Sequence, residues 1–397
     1  MTPTDDYKLF TPLQLGDGLV LKNRVVLGPA TRARYDPVTH TPQEQNATYY
    51  EQRAGAGLII SEGCAISEQG YGWYATPALY TDEHAAGWKD VVDRVHQKGG
   101  KIFVQLWHTG RQSHPSFHAN NEVVSASATV YEGGATHDVN GQRTTFERAR
   151  ALTLDEIPGV VEQYRKCAER AKQVGFDGVE VHAASGYLID QFLQSCTNLR
   201  TDKYGGSFEN RYRFLHEIVE AVKTVYPADR VGVRVSPANK YGGMGSADNT
   251  EMFNYVFERL AAHGLAYLAI LDGVGFGYSD KSRVMTAFDA KQLFKGVVMA
   301  NCSYTRDTAE GVVRSGAADM VSFVRQFMAN PDLAERFQND WPLNPELGYE
   351  FYWDPAQGAE GYTTPEFYEP PAQSKAGGEE TPDTAASGCK WMRVFKH

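Results

Sequence analysis

The sequence predicts a single (β/α)8 (TIM) barrel, with an N-terminal β-hairpin ahead of it and a C-terminal tail outside its core. Three observations carry this. Strand-like and helix-like segments alternate along the chain, and the alternation yields eight strand candidates, each followed by a helix or a gap that can hold one. Four of these candidates are nearly continuous apolar runs, the pattern of strands covered on both faces. No G-x-G-x-x-G follows the first strand, which lowers the standing of an open doubly wound sheet.

The elements follow in order. Residues 13–23, LQLGDGLVLKN, read as a hairpin turning at Gly16-Asp17-Gly18. The first strand is 24–29, with a helix around 43–54. Strand 57–63 leads through an aromatic loop to a helix near 82–98, and the third strand is 101–108. Residues from about 112 to 150 carry no strong period and read as an excursion over the barrel mouth. A helix over 154–174 ends at Gly175, a residue suited to a left-handed cap. Then come strand 178–182, helix 208–226, strand 230–237, helix 250–263, strand 265–271, a short helix near 288–295, strand 297–301, helix 305–315, strand 318–325 and a last helix over 331–340. The barrel domain thus spans 1–369. From Pro370 the composition, PPAQSKAGGEETPDTAASG, cannot form a core, so 370–397 reads as a largely disordered tail.

Composition narrows the function classes. The 397 residues are 42% hydrophobic, enough for a large core, and carry a net charge of -10 from 39 basic and 49 acidic residues. No long basic stripe is present, which argues against nucleic acid as a partner. Cys64, Cys167, Cys196, Cys302 and Cys389 are scattered, the usage of reduced thiols rather than of a disulfide framework or a cysteine-rich metal site. The N-terminus MTPTDDYKLF lacks an apolar signal core, and no stretch approaches the ~18 apolar residues of a membrane span. The expectation is a cytoplasmic protein, with a homo-oligomer left open.

In such a barrel, residues at the C-terminal strand ends converge on one mouth. Here they are Pro29-Ala30-Thr31, Gly63, Gln105 with Trp107, His182, Arg234 and Arg325, with Ser185 and Tyr187 close behind His182. The set holds no carboxylate pair, no Ser–His–Asp order and no metal-ligand spacing, so neither hydrolysis nor metal catalysis is indicated and no metal is expected. It offers hydrogen-bond donors in Gln105, His182 and Arg234, and a weak acid of pKa near ~10 in Tyr187. Arg325, just before a helix, suits a phosphate. Such a mouth could hold a flat, polar, anionic cofactor.

At these residues the chain resembles the Old Yellow Enzyme family of FMN-dependent ene-reductases. The matching runs are LKNRVVLGPATR, AGLIISEG, VQLWHTGR, VGFDGVEVHAASGYLIDQFL, NLRTDKYGGSFENRYRF, VGVRVSP, FMANPDL and the late FYW…GY; together they cover roughly 8–368. The long NLRTDKYGGSFENR run is the most specific. The chain lacks the cysteine cluster and extra domains of the iron–sulfur relatives, so it looks like the short, single-barrel branch.

The resemblance implies roles. Pro29, Ala30, Thr31 and Gly63 would line FMN, Gln105 and Arg234 would bind its pyrimidine carbonyls, and Arg325 would hold its phosphate together with the positions of Cys302, Ser303 and Val324. His182 and Ser185 would grip a substrate carbonyl and Tyr187 would donate a proton, with NADPH or NADH as hydride donor and an enone or enal as substrate. Trp107, Tyr74, Phe276 or Tyr278, and Tyr352 would shape the substrate side. Three departures from the family pattern stand out. Ser185 stands where most members have Asn or His, Asn301-Cys302-Ser303 replaces a glycine-rich turn, and Val324 replaces the glycine before the phosphate arginine. These departures motivate a second reading, a flavin-binding barrel with weak or no reductase activity.

Overall fold

Eight short apolar segments pair in parallel and close on one another in chain order: β1 (Val25–Leu27), β2 (Leu58–Ala65), β3 (Ile102–Trp107), β4 (Gly178–Ala183), β5 (Val231–Val235), β6 (Tyr267–Leu271), β7 (Val298–Asn301) and β8 (Met320–Phe323), with β8 paired back to β1. The computed structural model describes residues 4–272 and 277–369. Every residue of these eight strands is buried, because helices cover the outside of the barrel and side chains fill the inside. The predicted barrel is therefore the observed architecture.

The helices are α1 (Glu44–Gln52), α2 (Asp82–Gln97), α3 (Ile157–Val174), α4 (Leu188–Leu193), α5 (Phe208–Lys223), α6 (Asn249–Ala261), α7 (Ala287–Phe294), α8 (Arg306–Arg314), α9 (Arg325–Ala329), α10 (Leu333–Asn339) and α11 (Glu350–Trp353). Local chemistry sets their limits. Thr81 caps α2 by accepting the His84 amide, with Asp82 and Glu83 in the first turn where the helix dipole favours negative charge. Gly175 ends α3 in the left-handed region at φ 103°, as the sequence predicts. Each long helix turns one apolar stripe inward; on α5 it is Tyr212, Leu215, Ile218, Val219 and Val222.

The barrel has a closed floor. The N-terminal hairpin, Leu13–Gly16 paired with Leu19–Leu21, contributes Leu15, Leu19 and Leu21 to a cluster with Val26, Leu58, Ile60, Phe103, Tyr267, Met299 and Met320. The plugged end leaves the polar inward side chains at the opposite, C-terminal end of the strands.

The structure adds detail that the sequence pattern did not carry. The 112–150 excursion contains two small paired ribbons, Val124–Ser125 with Arg150–Ala151 and Ala135–His137 with Arg143–Thr145. Pieces of two or three residues are too short to show a hydrophobic period. The strands expected at 24–29 and 318–325 contract to Val25–Leu27 and Met320–Phe323, and α4 and α11 are short helices that no period announces. The tail read at 370–397 lies outside the described residues.

Candidate active site at the barrel mouth

Inside the barrel, just below the mouth, four polar side chains from four strands meet. Glu180, fully buried on β4, accepts hydrogen bonds from Gln105 Nε2 at 2.7 Å, Arg234 Nε at 2.8 Å and Tyr267 Oη at 2.9 Å. Arg234 reaches on to Asn301 Oδ1 at 3.4 Å and Met299 Sδ at 3.8 Å. Glu180 therefore fixes the direction of the two donors, Gln105 and Arg234, that the sequence places at the mouth. Glu180 and Tyr267 were not among the expected site residues. The signal for Glu180 was a lone acid within the apolar strand GVEV.

Above this layer stand His182 and Tyr187. His182 pairs in register with Arg234 and is 9% exposed, and its Nδ1 is buried without a partner. Burial, with the Arg234 charge adding to it, pushes the imidazole pKa down to about 3, so the ring is neutral across the working pH range. Tyr187, 8% exposed, lies edge-on to His182 and to Trp107, with ring centroids 5.0 Å apart in each pair. Burial raises its hydroxyl well above the ordinary tyrosine value, and it shares a hydrogen bond with Tyr241, a residue the sequence reading missed. Trp107 Nε1 is also buried and unpartnered.

The turn between them is held from outside. Ser185 and Gly186 both lie in the left-handed region, at φ 57° and 73°. Their four peptide groups are each bonded to a side chain. The Ser185 amide donates to Ser236 Oγ (2.7 Å) and its carbonyl accepts from Gln112 Nε2 (2.7 Å). The Gly186 amide donates to Asp190 Oδ2 (2.9 Å) and its carbonyl accepts from Gln191 Nε2 (2.7 Å). Ser236 Oγ is itself 3.5 Å from Asp190 Oδ2. Residue 185, three positions beyond His182, is thereby held on a backbone that others define.

The remaining expected residues take three kinds of position. Pro29, Ala30 and Thr31 follow β1, and the Arg32 amide just after them donates to the buried Glu62 at 2.7 Å. Arg32 also donates to the carbonyls of Phe351, Tyr352 and Gly361, which brings Tyr352 to the β1 end of the mouth. Tyr74 lies under the tip of the excursion hairpin, close to Gly141. Tyr131 of the excursion stacks on Phe146 and approaches the Tyr241 ring to 6.3 Å, so the excursion does cover the mouth as expected. Tyr278 is 51% exposed and Phe276 lies outside the described residues.

The residues expected to hold the phosphate show how positions without glycine are accommodated. Cys302 and Ser303 keep left-handed backbone, at φ 90° and 60°, a conformation that costs non-glycine residues of order 1 kcal/mol each. Val324 has φ -120°, where glycine's freedom is not needed, and its methyl packs beside Gly28, on which a Cβ would come within 3.0 Å. Arg325 opens α9 with its side chain exposed.

These residues fit FMN. Gly63 has no room for a side chain, because a Cβ would stand 2.9 Å from the Trp107 ring, so the backbone there is bare for a planar group. Arg234 offers a buried guanidinium and Arg325 an exposed one. The orphaned His182 Nδ1 awaits a polar ligand.

Comparison with known proteins agrees. The NADH:flavin oxidoreductase / NADH oxidase family model matches residues 8–344. The chain belongs to the Old Yellow Enzyme family. Among Old Yellow Enzyme relatives, 12-oxophytodienoate reductase 1 of Oryza sativa subsp. japonica is 38% identical over 364 residues, covering 89% of this chain and 92% of the relative. 12-oxophytodienoate reductase 2 of Arabidopsis thaliana is 38% identical over 359 residues, covering 89% and 95%. Among solved structures, morphinone reductase superposes with a TM-score of 0.86 at 41% identity, over 95% of this chain and 100% of that one. The old yellow enzyme homologue from Zymomonas mobilis superposes with a TM-score of 0.85 at 38% identity, over 90% and 99%. The chain is thus an oxidoreductase of the Old Yellow Enzyme type, and among its described residues no helix is long and apolar enough to cross a membrane.

The mouth has a titratable rear wall. Burial pushes the Asp190 carboxyl up to about 7. An acid whose folded pKa is raised binds its proton in the fold at a pH where the unfolded chain has lost it. Its stabilising contribution is complete below about pH 4 and is lost as pH rises through 7. Urea unfolding of the wild type and Asp190→Asn should therefore diverge with pH. Relative to the variant, the wild type loses about 1.4 kcal/mol per unit between pH 5 and 6.5. Parallel curves would show that Asp190 is ionised throughout.

Proposed function

We propose that this chain is an NAD(P)H-consuming FMN ene-reductase that reduces the C=C bond of α,β-unsaturated carbonyl compounds, enones or enals. The observation that carries it is the pairing of a neutral, half-unsatisfied His182 with the buried, un-ionised hydroxyl of Tyr187 above the Gln105–Arg234–Glu180 layer. Gln105 and Arg234 would hold the flavin pyrimidine edge, Thr31 would face its reactive edge, and Arg325 with the 301–303 turn would hold the phosphate. The chemistry a bound FMN supplies is hydride relay from a nicotinamide to the β-carbon of the substrate, in two successive half-reactions (ping-pong).

The protein's own residues do the rest. His182 donates to the substrate carbonyl oxygen, with Ser185 as a second, shorter donor, and stabilises the negative charge that gathers there as the β-carbon is reduced. Tyr187 gives its hydroxyl proton to the α-carbon; its raised pKa keeps it protonated until that moment. Trp107, Tyr74, Tyr352 and the excursion exclude water from the same space.

The visible spectrum of the purified protein tests this reading. A yellow protein that bleaches with NADPH or NADH under argon and recovers its colour on adding cyclohexenone is expected. A protein that stays colourless after incubation with FMN overturns it. The reading of a flavin-binding barrel without efficient reduction rests on Ser185 and on the Cys302–Ser303 turn; it is favoured if the yellow protein, once bleached by reduction, is not reoxidised by any of a panel of enones.

A further inference from the structure

On the outer helical layer, away from the mouth, three side chains of one helix face meet a fourth that arrives from a distant turn. Tyr212, His216 and Glu220 lie one turn apart on one face of α5. His263 arrives from the turn after α6, 47 residues further along the chain than His216. Its side chain is 6% exposed and its two nitrogens face different groups. Nδ1 is 2.8 Å from Glu220 Oε1, which also holds Lys223 Nζ at 2.8 Å; Lys223 Nζ is 3.5 Å from the same Nδ1. On the opposite edge, Nε2 is 3.0 Å from Tyr212 Oη and 3.4 Å from His216 Nδ1.

We infer that His216 Nδ1 and His263 Nε2 form a binding site for a divalent first-row transition ion of the zinc class, with water completing the coordination and Glu220 orienting His263. Three points support it. The Glu220 carboxylate accepts the Nδ1–H of His263, and this tautomer puts the lone pair on Nε2, as in histidines that ligate metals through a carboxylate-held ring; the Tyr212 hydroxyl, 3.0 Å away, donates to that lone pair and gives it up when an ion binds. Two nitrogens at the usual zinc–nitrogen length of about 2.0–2.1 Å on tetrahedral bonds stand about 3.4 Å apart, and this pair is already at that separation. Lys223 reaches His263 on the Nδ1 edge and is paired there with Glu220, which offsets its charge. His216 is exposed, which gives the ion and its waters a way in. Such an ion would tie α5 to the turn after α6.

Calorimetric titration of the EDTA-stripped, dialysed full-length protein with zinc chloride tests the site, since it needs no turnover. One zinc per chain with a Kd in the micromolar range is expected, together with a rise of a few degrees in Tm at saturating zinc. His216→Ala, at an exposed position that does not endanger the fold, should weaken this event by at least tenfold. Glu220→Gln should weaken it by about 10–100-fold, as loss of an orienting partner does. No heat up to 100 µM zinc, or a zinc event that His216→Ala leaves unchanged, overturns the inference; the second result would place the ion on cysteines or on the tail instead.

Discussion

Replacing Tyr187 with phenylalanine is expected to slow enone reduction by about 10²–10⁴-fold, the span of a lost general acid, while reduction of the flavin by nicotinamide stays near the wild-type rate. The two half-reactions separate because the ring survives the substitution. Phenylalanine keeps the edge contacts to Trp107 and His182 and removes only the hydroxyl. The loss should fall on kcat, since the proposed function gives carbonyl binding to His182 and Ser185. Stopped-flow measurement of each half-reaction is the check, and an unchanged oxidative half-reaction would show that the proton comes from elsewhere, with Tyr241 the nearest alternative hydroxyl.

The second large effect belongs to Glu180. Glu180→Leu is expected to lower stability by about 3–5 kcal/mol, because it leaves the Arg234 charge buried without its partner. The same change frees Gln105 and Tyr267 from their common acceptor, so flavin content after purification should fall at least tenfold. Glu180→Gln separates packing from charge. It keeps the shape but turns one acceptor oxygen into a donor against three donors, so it should keep much of the fold and still lose flavin. Thermal unfolding and the flavin-to-protein absorbance ratio read the two effects. A Glu180→Gln protein that retains full flavin occupancy would remove Glu180 from the cofactor argument.

The barrel was legible because its signal is repeated. Eight apolar runs separated by amphipathic stretches leave few topologies, and the strand ends then place Gln105, His182 and Arg234 at one mouth without further information. What stayed hidden depends on three-dimensional proximity. Glu180 reads as one acid in a strand, and only the closed barrel shows that it faces three donors from three other strands. Tyr241 sits in a loop with no pattern, and its tie to Tyr187 comes from two different strand ends meeting. Arg32 belongs to the quoted LKNRVVLGPATR run, yet its partners are carbonyls some 320 residues away. At the phosphate side, three letters differ from the family pattern while the turn keeps its left-handed backbone at Cys302 and Ser303.

The turn at Ser185 and Gly186 takes its shape from Ser236, Gln112, Asp190 and Gln191, reaching it from β5, the loop after β3 and helix α4. The identity of residue 185 is thereby decoupled from the architecture around it. A lineage can exchange this side chain, and so alter what the pocket prefers, without rebuilding the loop that displays it. On the proposed function, a library randomised at 185 alone should yield folded proteins that differ in substrate preference wherever the new residue tolerates the left-handed backbone at φ 57°.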